Sequence, residues 1–152
     1  MNVPKDYEEF FELLNLHKAR YLIVGAHAVA FHGQPRFTGD IDIFVACDRK
    51  NADRLLEVVE RFGFKNVGIN KDDFLKPDLI LQLGYPPFRI DILTNINGVI
   101  FKSAWKNRVK GTFGKHKVWY ISKSDLIRNK RAVGRTQDSF DLELLGVKKR
   151  KR

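Results

Sequence analysis

Three aspartates stand in a pattern that chemistry can use. Asp40 and Asp42 are one residue apart in Asp40-Ile41-Asp42-Ile43-Phe44-Val45, and Asp91 sits in a second apolar run, Arg89-Ile90-Asp91-Ile92-Leu93. In an extended strand successive side chains point to opposite faces, so Asp40 and Asp42 share one face while Ile41 and Ile43 enter the core on the other. Asp91 lies opposite Ile90 and Ile92 in the same way, and a neighbouring strand would bring it beside the first two. Two carboxylates ~4 Å apart repel by roughly 1 kcal/mol in water and about 4 kcal/mol at a protein surface. A divalent cation is the usual relief, and an all-oxygen ligand set favours a hard ion such as Mg2+, which takes its remaining ligands from water and phosphate. Two readings stand side by side here, a metal site or a pair of solvated aspartates at a strand end. Arg89 projects to the same face as Asp91, and its pairing with that acid is the alternative to a catalytic Asp91.

The elements that must position these acids can be read from the pattern around them. Tyr21–Val24 is a continuous apolar strand, Gly25 opens a short helix reaching about His32, and a loop then leads into the Asp40 strand. A helix start offers free backbone N–H groups and a positive dipole end, which suit a phosphate. The loop holds Gln34-Pro35-Arg36-Phe37-Thr38-Gly39. Arg36 and Thr38 stand just before the acidic strand, where they could contact phosphates; pairing of Arg36 with the aspartates is the equal alternative. His27 and His32 are five residues apart, a spacing that does not stack them as metal ligands on one helical face, and a structural role is favoured.

The Tyr21–Val45 segment resembles the nucleotidyltransferase superfamily that shares the DNA polymerase beta catalytic core. That pattern is an apolar strand, Gly-Gly or Gly-Ser, an intervening stretch, Asp-apolar-Asp, and a third acid on a later strand; here it is Val24-Gly25-Ala26, Asp40-Ile41-Asp42 and Asp91. Together with the 122–135 segment and Asp138 to Leu142, the chain looks like small bacterial and archaeal nucleotidyltransferase-like proteins related to the AbiEii group, over about 21–145. Ala26 departs from the pattern, so a serine hydroxyl to phosphate is absent and backbone donors remain. The resemblance implies an α/β fold, a mixed β-sheet flanked by helices in a single domain. It also implies a nucleoside triphosphate substrate and two Mg2+ ions, with Mn2+ as a substitute. Asp40, Asp42 and Asp91 would be both metal ligands and catalytic residues; Gly25, Ala26, Arg36, Thr38 and Lys130 would bind nucleotide. Relatives include toxin and antitoxin components, and the acceptor could be RNA, a protein side chain or a small molecule. A catalytically inactive module of the same scaffold, binding nucleic acid or a partner protein, is the reading from another class.

The remaining elements frame that unit. Asp6 to Lys18 has helical spacing with Tyr7, Phe10, Phe11, Leu13, Leu14 and Leu16 apolar, and Asn51 to Phe62 is a second amphipathic helix followed by Gly63 as its C-cap. Leu79 to Leu83 and Phe88 to Leu93 read as a hairpin joined by Gly84-Tyr85-Pro86-Pro87. Val99 to Val109 reads as a helix and His116 to Ile121 as a strand. The next helix is capped by Ser122 or Ser124 and carries Leu126, Ile127, Lys130 and Val133 inward. A last helix, Thr136 to Leu145, is capped by Thr136 or Asp138.

The 152 residues, 43% of them hydrophobic, suit one compact domain over 1–147. No long apolar run or signal pattern occurs, so no membrane association is expected and the protein should be soluble and cytoplasmic. Cys47, the single cysteine, has neither a disulfide partner nor the companions of a zinc site. The net charge of +10 suits an anionic partner, and half of it comes from the basic tail at 148–152. That tail is either a nucleic-acid contact or a solvated end. A homo-oligomer or partner protein completing the acceptor pocket is a further reading.

Overall fold

The computed structural model describes residues 4–34 and 39–148. Arg36 and Thr38 lie outside the described residues, as does the tail beyond Lys148. In chain order the elements are α1 (Lys5–Leu16), β1 (Tyr21–Val24), α2 (Gly25–His32), β2 (Ile41–Val45), α3 (Arg49–Val59), β3 (Ile80–Leu83), β4 (Ile90–Leu93), α4 (Phe101–Lys106), β5 (Val109–Phe113), β6 (His116–Tyr120), α5 (Lys123–Val133) and α6 (Thr136–Leu144). The strands form one mixed sheet in the order β3-β4-β2-β1-β6-β5. Pairing is antiparallel except for β2 with β4 and β1 with β6.

The strands at the centre are the most apolar, as their burial requires. All four residues of β1 are buried, and Ile41, Ile43 and Val45 of β2 are inaccessible to solvent. The side chains of α1 at helical spacing, Tyr7, Phe10, Phe11 and Leu14, are all in the core. Phe10 packs edge-on against Phe62, just past α3, at 5.1 Å between ring centres. A hydrophobic helix face against an apolar strand contributes the usual ~25 cal/mol per Å² of apolar surface removed from water. A parallel partner for β2 needs a crossover. It is supplied by α3, a wider turn at Glu60–Phe64 in which Gly63 takes φ 119°, a tight helical turn at Lys71–Leu75, and β3.

The structure shortens one expected element and adds another. The helix expected over Val99 to Val109 stops at Lys106, and Val109 opens a strand, β5, that the sequence reading did not contain. A two-residue turn, Gly114-Lys115, closes β5 onto β6 with Phe113 opposite His116; the glycine takes φ 61°, as tight hairpin turns require. The cap of α6 also differs: Arg135 is the N-cap residue, and Asp138 reaches back to accept its backbone N–H at 3.1 Å. The cap of α5 is Ser122, whose hydroxyl accepts the Asp125 N–H at 3.1 Å. Cys47 stands exposed just past the end of β2.

One buried polar side chain ties the entrance of β1 to the exit of β2. Asn51 accepts the Arg20 N–H at 2.8 Å and donates to the carbonyls of Arg20 and Ala46 at 3.1 and 2.9 Å. Replacing it leaves the Arg20 N–H and the Ala46 carbonyl without their partner, while the Arg20 carbonyl keeps the Ala46 N–H at 3.3 Å. Asn51→Ala is therefore expected to lower stability by about 2–4 kcal/mol, read by urea denaturation.

Candidate active site

Parallel pairing of β2 with β4 sets Asp42 opposite Asp91 in direct register, with Gln82 of β3 opposite Asp91 on the other side. The same ladder places Val24, the last residue of β1, opposite Asp42. The chain turns immediately after Val24 at Gly25, which takes φ 66° and starts α2 with no side-chain cap on its free N–H groups. A Cβ at Gly25 would run into the Asp42 carboxylate. The glycine thus meets two demands at once, a left-handed backbone and close approach of a helix start to an acid. Gly39, just before Asp40, is confined similarly, since a Cβ there would overlap the Pro87 carbonyl in the β3–β4 hairpin.

The acids crowd one another. Asp91 is 7% exposed and Asp42 is half-buried. Burial pushes the Asp42 carboxyl up to about 6; the charges of Asp91 and Asp40 add to that, and Lys130 and Arg89 oppose it. Arg89 sits among them as the expected alternative partner of Asp91. Its Nε donates to Asp91 at 2.7 Å and its Nη2 to the other Asp91 oxygen at 3.0 Å, while the same Nη2 lies 3.2 Å from Asp40. The Arg89 backbone N–H also donates to Asp40 at 3.2 Å. All three acids therefore reach one neighbourhood, but a guanidinium already bridges two of them. Among the described residues no group of three acidic, histidine or cysteine side chains converges as a metal-binding cluster. The donor chemistry still suits a hard divalent ion. Asp42 and Asp91 supply two adjacent carboxylates, as many as Mg2+ takes from protein when phosphate supplies the rest.

Lys130 points inward from α5, as its place on the apolar stripe indicates, and is 6% exposed. Its Nζ lies 3.2 Å from Asp138 and 3.1 Å from Asp141 of α6. Burial raises the Asp138 carboxyl, but bonds from Arg135 and Lys130 outweigh that and hold it below the ordinary range. Asp138, Asp141 and Arg135 are neighbours the sequence reading did not assign to the site; the signal for them is an inward lysine, which cannot be buried without acids. Tyr7, on the core-facing stripe of α1, also reaches the site. Its hydroxyl donates to the Gly39 carbonyl and lies 3.2 Å from that of Arg89, and burial with the three nearby aspartates pushes its ionisation well above the usual phenol range. His27 packs edge-on to Tyr7 at 6.1 Å, and burial lowers it to about 4, so the imidazole is neutral at pH 7. His32 contacts the Ile121 carbonyl at 2.6 Å, a structural role.

In fold, a six-stranded mixed sheet flanked by helices, the chain matches solved structures of nucleotidyltransferases. Among solved structures it is similar to the lincosamide antibiotic adenylyltransferase LnuA in its lincomycin-bound form, with a TM-score of 0.63 and 19% identity over 96% of this chain and 98% of that one. It is also similar to a Thermotoga maritima protein assigned to the nucleotidyltransferases, with a TM-score of 0.60 and 17% identity over 93% of each chain. No protein-family model matches the sequence, and no curated protein does either.

The raised Asp42 carboxyl has a consequence for stability. The folded state holds that proton more tightly than the unfolded chain, where the value is 3.8, so stability falls as pH rises from about 4 through 6. Asp42→Asn removes this cost. The variant should be more stable than the parent by roughly 2 kcal/mol at pH 7.5, with the gain vanishing below about pH 4, in paired denaturant titrations.

Proposed function

We propose that the protein is a nucleotidyltransferase that moves a nucleoside monophosphate from a nucleoside triphosphate to an acceptor hydroxyl. The observation that carries this is the registered Asp42–Asp91 pair facing the free N–H groups at the start of α2, in a fold shared with enzymes of that class. The acceptor oxygen forms a bond to the α-phosphorus, the bond from that phosphorus to the bridging oxygen breaks, and pyrophosphate leaves with the electron pair. Asp91 takes the hydroxyl proton. Asp40, Asp42 and Asp91 would hold two divalent ions, Mg2+ or Mn2+, whose chemistry is to neutralise charge on the attacking and leaving oxygens.

The backbone N–H groups of Gly25 and Ala26 hold phosphate, with no hydroxyl in the second position to assist them. Arg36 and Thr38 precede Asp40 in the sequence by four and two residues and are assigned to the phosphates with them. Lys130 acts on the site through its field, which opposes the upward push on Asp42, because Asp138 and Asp141 hold its ammonium. Arg89 must exchange its carboxylates for the incoming phosphates, a trade of one bidentate anion for another. Acceptor candidates are an RNA end, a protein side chain or a small molecule. A toxin–antitoxin setting follows from the AbiEii-type sequence resemblance.

The Arg89 bridge favours a second reading, an inactive scaffold in which the guanidinium permanently replaces the metal. The two readings diverge in one experiment. The protein is incubated with Mg2+, cell lysate and each nucleoside triphosphate labelled at the α-phosphate, and its thermal midpoint is measured with the same nucleotides. Transfer predicts a labelled acceptor and a midpoint raised only by Mg2+ and nucleotide together. Asp42→Asn should cut labelling at least about 100-fold, since losing even an outer partner of a metal ligand costs about 10–100-fold. No label and no shift with any nucleotide would leave the inactive scaffold.

A further inference from the structure

A cleft of about 580 Å³ opens at the far ends of β2 and β4, away from the acids. Phe44 and Ala46 line it, and the two-residue period of a strand puts both on the face that carries Asp42. Its floor is aromatic: Phe44 meets Phe101 edge-on at 5.1 Å, and Phe101 lies nearly parallel to Trp105 at 5.8 Å. Ile100, 73% exposed, stands at its lip. The rim carries Arg20, Lys102 and Lys106, and the guanidinium of Arg20 lies 5.7 Å from the Trp105 ring centre. Among the described residues none of these three cations has an acidic partner. The one acid in the lining, Asp48, is engaged as the cap of α3, accepting the Asn51 N–H at 2.9 Å.

Three unneutralised cations around an aromatic floor make a site for an anion that also carries flat rings. An acidic peptide would satisfy the charges and leave the rings unused. A duplex keeps its base faces stacked away from protein, whereas a single strand can turn a base into a concave site while its phosphates stay on the rim. We propose that this cleft binds single-stranded nucleic acid, with phosphates on Arg20, Lys102 and Lys106 and a base against Ile100 and Phe101. The site stands whether or not the acids catalyse transfer. Ala46, just past the end of β2, is four residues from Asp42, about 13 Å at ~3.3 Å per residue, so the cleft is a site distinct from the acids.

The test uses the full chain and a short fluorescent oligouridylate, with binding followed by anisotropy across a salt series. Affinity should fall linearly with the logarithm of salt. Lys102→Glu/Lys106→Glu, both at exposed positions, should weaken binding at least about 10-fold and lower the salt slope by about two. Arg61→Glu/Lys65→Glu makes the same change of net charge on exposed residues elsewhere and should leave affinity within about 3-fold. The exposed Cys47 lines the cleft, so bound oligonucleotide should slow its alkylation by iodoacetamide. Oligothymidylate run in parallel tells RNA from DNA as the source, and binding of either supports the site. The proposal is overturned by absence of binding at low salt, by equal losses in the two double variants, by unchanged Cys47 alkylation, or by an acidic peptide that displaces the oligonucleotide at equal concentration.

Discussion

Repulsion between carboxylates that the sheet forces together is the constraint from which the rest of this site follows. Asp42 and Asp91 cannot drift apart, because they occupy paired positions on adjacent parallel strands inside a single ladder. Water screens them poorly, because Asp91 is buried and Asp42 is half-buried against the helix start at Gly25. The structure meets that repulsion in two ways. The Asp42 carboxyl holds its proton up to about pH 6, and the Arg89 guanidinium spreads across Asp91 and Asp40. Both responses are those of a place built to receive positive charge, and they are reversible in a way that burying a hydrophobic side chain there would not be.

A second charge centre sits behind the first, with its own internal balance. Lys130 on α5 is buried between Asp138 and Asp141 on α6, and Arg135 closes over Asp138. Breaking such a buried cluster by removing one member leaves an uncompensated charge, which is the strongly unfavourable case. Its effect is to lock the last two helices together, while the lysine's field still reaches Asp42.

Much of this was legible in the chain because local rules and tertiary packing agree. The apolar run of β1, the glycine that must open α2, and the alternation around Asp42 and Asp91 each state their role within a few residues. The hairpin bringing Asp91 into place was readable from Gly84 to Pro87. The losses have a common cause. β5 alternates weakly, with Lys110, Gly111 and Thr112 at its centre and a half-exposed outer edge, so its strand character comes from pairing with β6. The position of Lys130 on an inward stripe was visible, yet its partners come from another helix and only packing identifies them. The sequence showed that Arg89 and Asp91 share a face; that the same guanidinium also takes Asp40 depends on the register of β2 with β4.

The Tyr7 hydroxyl touches the Gly39 and Arg89 carbonyls, the two backbone points that lead directly into the acidic strands. One phenol near the beginning of the chain thereby staples together segments about fifty residues apart, much as a pin through two laminations keeps their edges flush. The packing of α1 and the register of the acid-bearing strands therefore meet at a single side chain.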